Sequence, residues 1–242
     1  MKRYIWIGIL NISFCFGHIF AQKLSSAFYI DIEKNKKSFF SKGEISLQDY
    51  YDILTALKKE YGEDSEQYKF LIPDTSKFME LYGFPFFYRN AKLYHKIVDS
   101  IEELQGEFPM VAISYEQARA CCQWIETKLN QHDKSYIWQC SLPEKADYEM
   151  ALKKAKITQT EYLSPLQIKR SKHCRKEKDG TFCIVRRRYG NFVFGLTDNV
   201  AEYLQDGTIV EGGENATLKF AEAKDVENPI GFRFKLTVIS KK

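Results

Sequence analysis

The sequence lacks most of the features that announce a function. It has no Cys-x-x-Cys, and its four histidines are scattered, so no Cys/His spacing fits zinc. No Ser/His/Asp set is readable, and no pair of carboxylates stands out for acid–base work. Internal repeats, low-complexity tracts, domain linkers and a βαβ rhythm are all missing. Excess charge is small: 36 Lys and Arg stand against 32 Asp and Glu. Without Lys2 and Arg3 the balance is 34 to 32, near +2, which is too little to argue for nucleic acid. Beyond the N-terminus no segment is apolar for long enough to span a bilayer. With 15% aromatic and 28% charged residues, the composition is globular rather than disordered.

The N-terminus is the exception. Lys2 and Arg3 precede an apolar run from Tyr4 to Ala21, interrupted by Asn11, Ser13 and His18, and a small residue stands before Gln22. That order predicts a signal peptide over residues 1–21, with cleavage after Ala21, and an exported protein that is periplasmic, cell-surface or secreted. Cys15 follows the bulky Phe14, where a lipid-bearing cysteine calls for a small residue. The remaining 22–242 is long enough for one sizeable domain with no membrane span.

Of the six cysteines, Cys121, Cys122, Cys140, Cys174 and Cys183 survive cleavage. Export permits disulfides, and an odd count leaves one thiol free or paired between chains. Cys174 and Cys183 flank the turn sequence Lys178-Asp179-Gly180 and are the candidate disulfide across a hairpin. Cys121 and Cys122 read as part of a buried helix face.

Three helices are expected. Ser46 and Asp49 start the first, Tyr50, Ile53, Leu54 and Leu57 give it one apolar face, and Gly62 stops it. Ser114 and Gln117 form a capping box for the second, with Ala118, Cys122, Ile125 and Leu129 inward. Pro143 suits the first position of the third. Between the first two, residues 63–107 read as packed loops and short strands around a crowd of aromatics, Tyr82 to Tyr88. Strands are expected at 27–32, 136–140 and 232–239, with turns at Asp206-Gly207 and Gly212-Gly213. Lys169 to Lys178 and Arg186 to Arg188 form a basic stretch, read as a solvated hairpin face or a surface for an acidic partner or anionic glycan. Asn215-Ala216-Thr217 matches a glycosylation acceptor. The fold class is α+β: a single loop-rich domain with a few helices and short antiparallel strands.

Several segments in fixed order resemble one family. Phe108 to Ala118 with Cys122 and Trp124, Leu142 to Glu149, Asn191 to Leu196 followed by Asp198 to Tyr203, and Gly212-Gly213 followed by Ile230-Gly231-Phe232-Arg233 are similar to motifs of the formylglycine-generating enzyme, or sulfatase-modifying factor, family. Glu44 to Tyr51 looks like that family's first helix entry. The resemblance covers about residues 27–242 and implies a variant of the C-type lectin fold. Active members hold copper on two cysteines between the Gly-Gly-Ser and Gly-Phe-Arg segments, since thiolates suit Cu(I). The matching interval here, Glu214 to Pro229, has neither Cys nor His, so no copper site is recognisable. Other relatives bind non-haem iron through histidines of an added domain; here only His95, His132 and His173 remain. The family's calcium loop maps onto Asn199, Val200, Ala201 and Glu202, two side-chain oxygens flanking two carbonyls, as Ca²⁺ prefers. The same residues also read as a loop in which Asn199 and Glu202 bond backbone.

The resemblance therefore implies an exported, non-catalytic binding or scaffold module of the cell envelope, with a protein or glycan partner. Relatives without the cysteine pair occur in gliding-motility and secretion-associated envelope machinery. The alternatives are a metal-dependent oxidoreductase with an atypical site and a carbohydrate-binding module.

Overall fold

The computed structural model describes residues 29–33, 37–82, 86, 109–154, 156–157, 192–193, 195–196, 199–213, 217–225 and 229–242. The signal segment, the Cys174–Cys183 pair, the basic stretch, the glycosylation acceptor, His95 and His173 lie outside them, as does most of the aromatic crowd.

Two antiparallel strands, β1 (Tyr29–Glu33) and β2 (Ser38–Ser41), open the chain. Helix α1 (Leu47–Tyr61) follows with the expected capping box: the Ser46 hydroxyl accepts from the Asp49 amide, and the Asp49 carboxylate accepts from the Ser46 amide. Its Leu47, Tyr50, Ile53, Leu54 and Leu57 are buried, each such side chain contributing about 1.5–3 kcal/mol. Gly62, at φ 90°, ends the helix.

The next segment departs from the loops expected there. Residues 66–82 form two helices, α2 (Glu66–Phe70) and α3 (Thr75–Tyr82). Aromatic side chains anchor the two helices: Phe78 is fully buried and meets Phe86 edge-on at 5.2 Å, and Tyr68 is buried. Ser65 and Asp74 accept from the first amides of the two helices, cap signals in the sequence that the aromatic density obscured.

Helix α4 (Tyr115–His132) carries its predicted box at Ser114 and Gln117 and buries Ala118, Cys122, Ile125 and Leu129. Gln117 also donates to the carbonyls of Phe70 and Ile72, tying the start of α4 to the end of α2. His132 closes α4 and is exposed. Strand β3 (Tyr136–Ser141) then returns along α4, with Trp138 and Cys140 inward. Among the described residues its outer edge has no strand partner in the four-stranded antiparallel sheet, whose last member, β10, is named below. Instead Asn130 accepts from the Trp138 amide and donates to its carbonyl, both at 2.8 Å, and Glu126 accepts from the Cys140 amide at 2.9 Å. The match is geometric. Four residues on a helix advance about 6 Å and two on a strand about 6.7 Å, so Glu126 and Asn130 fall opposite Cys140 and Trp138. A helix thus covers a sheet edge that would otherwise expose a row of polar groups.

Helix α5 (Lys145–Lys154) begins two residues after Pro143. Glu144 is its cap: its carbonyl accepts from Asp147 and Tyr148, while its amide donates to the Asp147 carboxylate at 2.7 Å. The Pro143 carbonyl is engaged elsewhere, by the Gln205 amide. Short strands β4 (Lys156–Ile157) and β5 (Phe192–Val193) pair in parallel. Strands β6 (Ala201–Tyr203), β7 (Thr208–Gly213), β8 (Thr217–Glu222) and β9 (Ile230–Gly231) make a sheet of order β8-β7-β6-β9, with β6 and β9 parallel. Asp206-Gly207 is the β6–β7 turn, as expected. Gly212-Gly213, expected as a turn, is strand: it pairs with Leu218 and Thr217 and carries β7 to the end of the hairpin. The last strand, β10 (Lys235–Lys241), starts three residues later than expected and completes the first sheet in the order β1-β2-β10-β3.

The result is a single α+β domain with a few helices and short, mostly antiparallel strands. Two groups of buried apolar residues fill it. The larger joins α1 to α4 with β3 and Phe232, Phe234 and Leu236. The smaller joins Ile32, Phe40, Tyr148, Ala151, Val193, Leu196, Leu204 and Val210. Between them lies a cluster of charged side chains. Among the described residues no helix is long and apolar enough to cross a membrane.

Candidate functional site

The segment Phe232-Arg233-Phe234 decides where this charge goes. Both phenylalanines belong to the larger core, while Arg233 meets two aromatic residues of the smaller group. It is fully buried, beside the rings of Phe40 at 5.2 Å and Tyr148 at 5.7 Å, which meet each other edge-on.

An unpaired buried guanidinium is prohibitively costly, so its partner must come from the fold. It is Glu202 of β6. Arg233 Nε donates to Glu202 Oε2 at 2.6 Å, and a terminal nitrogen donates to Oε1 at 2.5 Å, a two-point fork. The Tyr148 hydroxyl adds a third donor, to Oε2 at 2.6 Å. A further Arg233 nitrogen reaches the Ser41 carbonyl at 3.3 Å. Burial, followed by the neighbouring Glu202 charge, pushes the Tyr148 phenol well up, so it stays a donor.

A second carboxylate stands beside this pair. Glu44 lies on the connection from β2 to α1. Backbone bonds hold that connection to the Arg233 segment: the Ser41 amide donates to the Phe234 carbonyl at 3.1 Å, and the Ile45 amide to the Phe232 carbonyl at 2.8 Å. Glu44 Oε1 accepts from Asn199 Nδ2 at 2.8 Å, while Oε2 has no hydrogen-bond partner among the described residues. Burial first, then the charge of Glu202, raises the Glu44 carboxyl to about 8, against an opposing pull from Arg233. Arg233 pairs with Glu202, and Glu44, the carboxyl outside the fork, is pushed toward its protonated form.

Backbone geometry makes room for it. Gly195 sits at φ +64°, and a Cβ there would lie 2.1 Å from Glu44 Oε1. Both its conformation and the close approach require glycine. Asn199, at φ 74°, takes a left-handed conformation that asparagine tolerates better than most residues.

Asn199, Val200, Ala201 and Glu202 are therefore contiguous and buried, but their side chains serve different neighbours. Asn199 turns its amide to Glu44; Glu202 turns both oxygens to Arg233 and Tyr148. Calcium held by Glu202 would require it to exchange a guanidinium for the ion. Sequence reasoning placed Asn199 and Glu202 but did not connect them to Glu44, Tyr148 and Arg233. The signal for the connection was an arginine between two phenylalanines, which in a buried segment demands a carboxylate.

Of the interval expected to hold a copper pair in active members of the resembled family, Thr217–Glu222 is a strand. β8 pairs with β7 in unbroken register from Gly213 opposite Thr217 to Thr208 opposite Glu222. The cysteines among the described residues are on other elements: Cys121 and Cys122 on α4, and Cys140 on β3, all buried free thiols. Burial pushes the Cys121 and Cys140 thiols well up, away from the thiolate form that binds metal or attacks carbon.

A scan against protein-family models found no match, and neither did searches of curated proteins and of solved structures.

Proposed function

We propose that the chain is an exported, non-catalytic member of the sulfatase-modifying-factor-like group, with a C-type-lectin-like fold, acting as a binding or scaffold module for a protein or glycan in the cell envelope. The observation that carries this reading is the β7–β8 hairpin. In active members of the resembled family the interval between Gly-Gly and Gly-Phe-Arg holds copper on two thiols; here Thr217–Glu222 of that interval is a strand hydrogen-bonded to its neighbour. The ionisable groups of the buried cluster support the same reading. Glu202 and Arg233 bind each other in a fork and Glu44 is buried near them, an arrangement that fixes three chain segments and keeps these groups from solvent. Export rests on Lys2, Arg3 and the apolar run to Ala21.

The test is an oxygen-dependent assay on a cysteine-containing sulfatase peptide, with copper supplied, beside elemental analysis of the protein as purified. The expected result is no aldehyde product and no stoichiometric copper or iron. Aldehyde formation, or one equivalent of either metal, overturns the reading in favour of an atypical oxidoreductase. Calcium at Asn199, Val200, Ala201 and Glu202 is checked in the same samples by melting with and without chelator. An unchanged melting temperature is expected, because the Arg233 fork already occupies Glu202. A fall on chelation assigns calcium to the loop and, with calcium-dependent glycan binding, favours a carbohydrate-binding module.

A further inference from the structure

One end of the first sheet gathers exposed apolar and basic side chains that the charged cluster does not use. Three segments meet there: the residue entering β2, the connection from α4 to β3, and the end of β10. The Val238 amide donates to the Lys37 carbonyl at 3.3 Å, Lys37 Nζ donates to the Tyr136 hydroxyl at 3.2 Å, and the Lys242 amide donates to the Ser135 carbonyl at 3.0 Å. Ile137 and Ile239 project from this end, 40% and 58% exposed. A bulge brings them together: Trp138 pairs with Val238 and Ile137 with Ser240, so Ile239 is the extra residue of β10. Further along the Ile137 face the sheet turns polar, with Gln139 opposite Thr237 and Thr237 opposite Ser38. Lys37, Lys134, Lys241 and Lys242 are all exposed around the two isoleucines. The Asp133 carboxylate at the same end is turned inward, to the Trp138 indole and the amides of Ser135 and Tyr136.

We propose that this end of the sheet docks on an anionic lipid bilayer, with Ile137 and Ile239 entering the boundary between headgroups and acyl chains and the four lysines meeting the headgroups. Charge complementarity and side-chain type favour lipid over a protein partner. Protein interfaces are enriched in arginine and depleted in lysine, whereas this end carries four lysines and, among its described residues, no arginine. A lysine stem lies along apolar surface while its ammonium stays at headgroup level. Each lysine near an anionic surface strengthens binding about fivefold, and the isoleucines add burial of apolar area. Tyr136 suits the same boundary: its ring stands 6.2 Å from that of Trp138, and its hydroxyl faces Lys37. The surface adds a lipid contact to the protein or glycan partner proposed above. It rests on the sheet and not on residues 1–21, so it is independent of the export reading.

The test is co-sedimentation of the full chain with two kinds of vesicle, phosphatidylcholine alone and phosphatidylcholine mixed with phosphatidylglycerol in equal parts. The apolar run from Tyr4 to Ala21 is present in every sample, so the readout is the difference between vesicles and between variants. One variant combines Lys37→Gln, Lys134→Gln and Lys241→Gln. Lys242 is left in place because its side chain donates to the Asn130 and Asp133 carbonyls at the end of α4. The other combines Ile137→Ser and Ile239→Ser. Tighter binding to the anionic vesicles is expected, weakening as salt is added. The lysine variant should lose about a hundredfold on those vesicles, and the isoleucine variant about tenfold. All these positions are exposed, and melting temperatures check that the variants are folded. Lys241→Gln alone, at an exposed strand end, should lose about fivefold and serves if the triple variant does not fold. Equal binding of the parent chain to both vesicles, or anionic binding that the variants keep in full, overturns the proposal. Binding to poly-glutamate with no preference for anionic vesicles overturns it in favour of an acidic protein partner.

Discussion

Two polar junctions hold this molecule together, and they do it differently. At the α4–β3 junction, side chains of a helix satisfy backbone groups of a strand edge. Glu126, Asn130 and Asp133 accept from the amides of Cys140, Trp138 and Tyr136, and Asp133 also accepts from the Trp138 indole at 2.6 Å. These contacts are local in sequence, partly buried, and each replaces a bond that water would otherwise make. At the Arg233 cluster, Glu44, Glu202 and Arg233, from three distant segments, meet in the interior with the Tyr148 phenol, and only one another's presence makes their burial tolerable. The first junction is a sum of modest terms. The second is cooperative: each member is stable only while the others are in place.

The largest expected effect breaks the second junction. Glu202→Ala leaves Arg233 buried without its counter-ion and should cost about 3–5 kcal/mol, read by urea unfolding. A loss under 1 kcal/mol would place the Arg233 charge in solvent contact.

The next effect concerns pH. Glu44 has a folded-state pKa raised from 4.5 to about 8. The native state therefore holds a proton that the unfolded state has lost between those values. Stability from this group is full below pH 4.5, falls as pH rises toward 8, and is flat above it. The displacement corresponds to roughly 4–5 kcal/mol at most. Glu44→Gln keeps an acceptor for Asn199 and removes the proton, so the variant should lose this slope. The difference between the two stability profiles isolates Glu44 from every other titrating group.

A smaller effect sharpens the packing side of the comparison. Gly195→Ala forces both an unfavourable φ and a clash with Glu44, for about 2–3 kcal/mol. In a Glu44→Ala background the clash disappears and only the backbone part, about 1 kcal/mol, should remain.

The smallest belongs to the first junction. Asn130→Ala removes two bonds to Trp138 and should cost about 1–2 kcal/mol, because the site is only partly buried and water replaces much of what is lost. A cost as large as that of Glu202→Ala would erase the distinction drawn between the two junctions.

The contrast also explains what the chain reveals before it folds. Helices α1 and α4 were legible to the residue at their starts, because Ser46-Asp49 and Ser114-Gln117 are local chemistry and their apolar spacing is local geometry. So was the strand from Tyr136. Helices α2 and α3 were missed: they are short, and the aromatic residues that anchor them also suit strands. The start of α5 was placed early because proline is common at a first helical turn, whereas Glu144 and Asp147 make the cap. The charged cluster was half legible. Asn199 and Glu202 stand in one short motif, but their partners lie 155 and 31 residues away. No local pattern reports that Glu44 is the surplus carboxyl, since this depends on how many charges the fold brings together.

The account depends most on the proton at Glu44, which lets this carboxyl lie buried near the Glu202 charge. The direct measurement is a carbon NMR titration of its side-chain carboxyl from pH 4 to 9, assigned by comparison with Glu44→Gln. A midpoint near 8 is predicted. A midpoint near 4.5 would contradict the account: Glu44 would then be ionised near Glu202 at neutral pH.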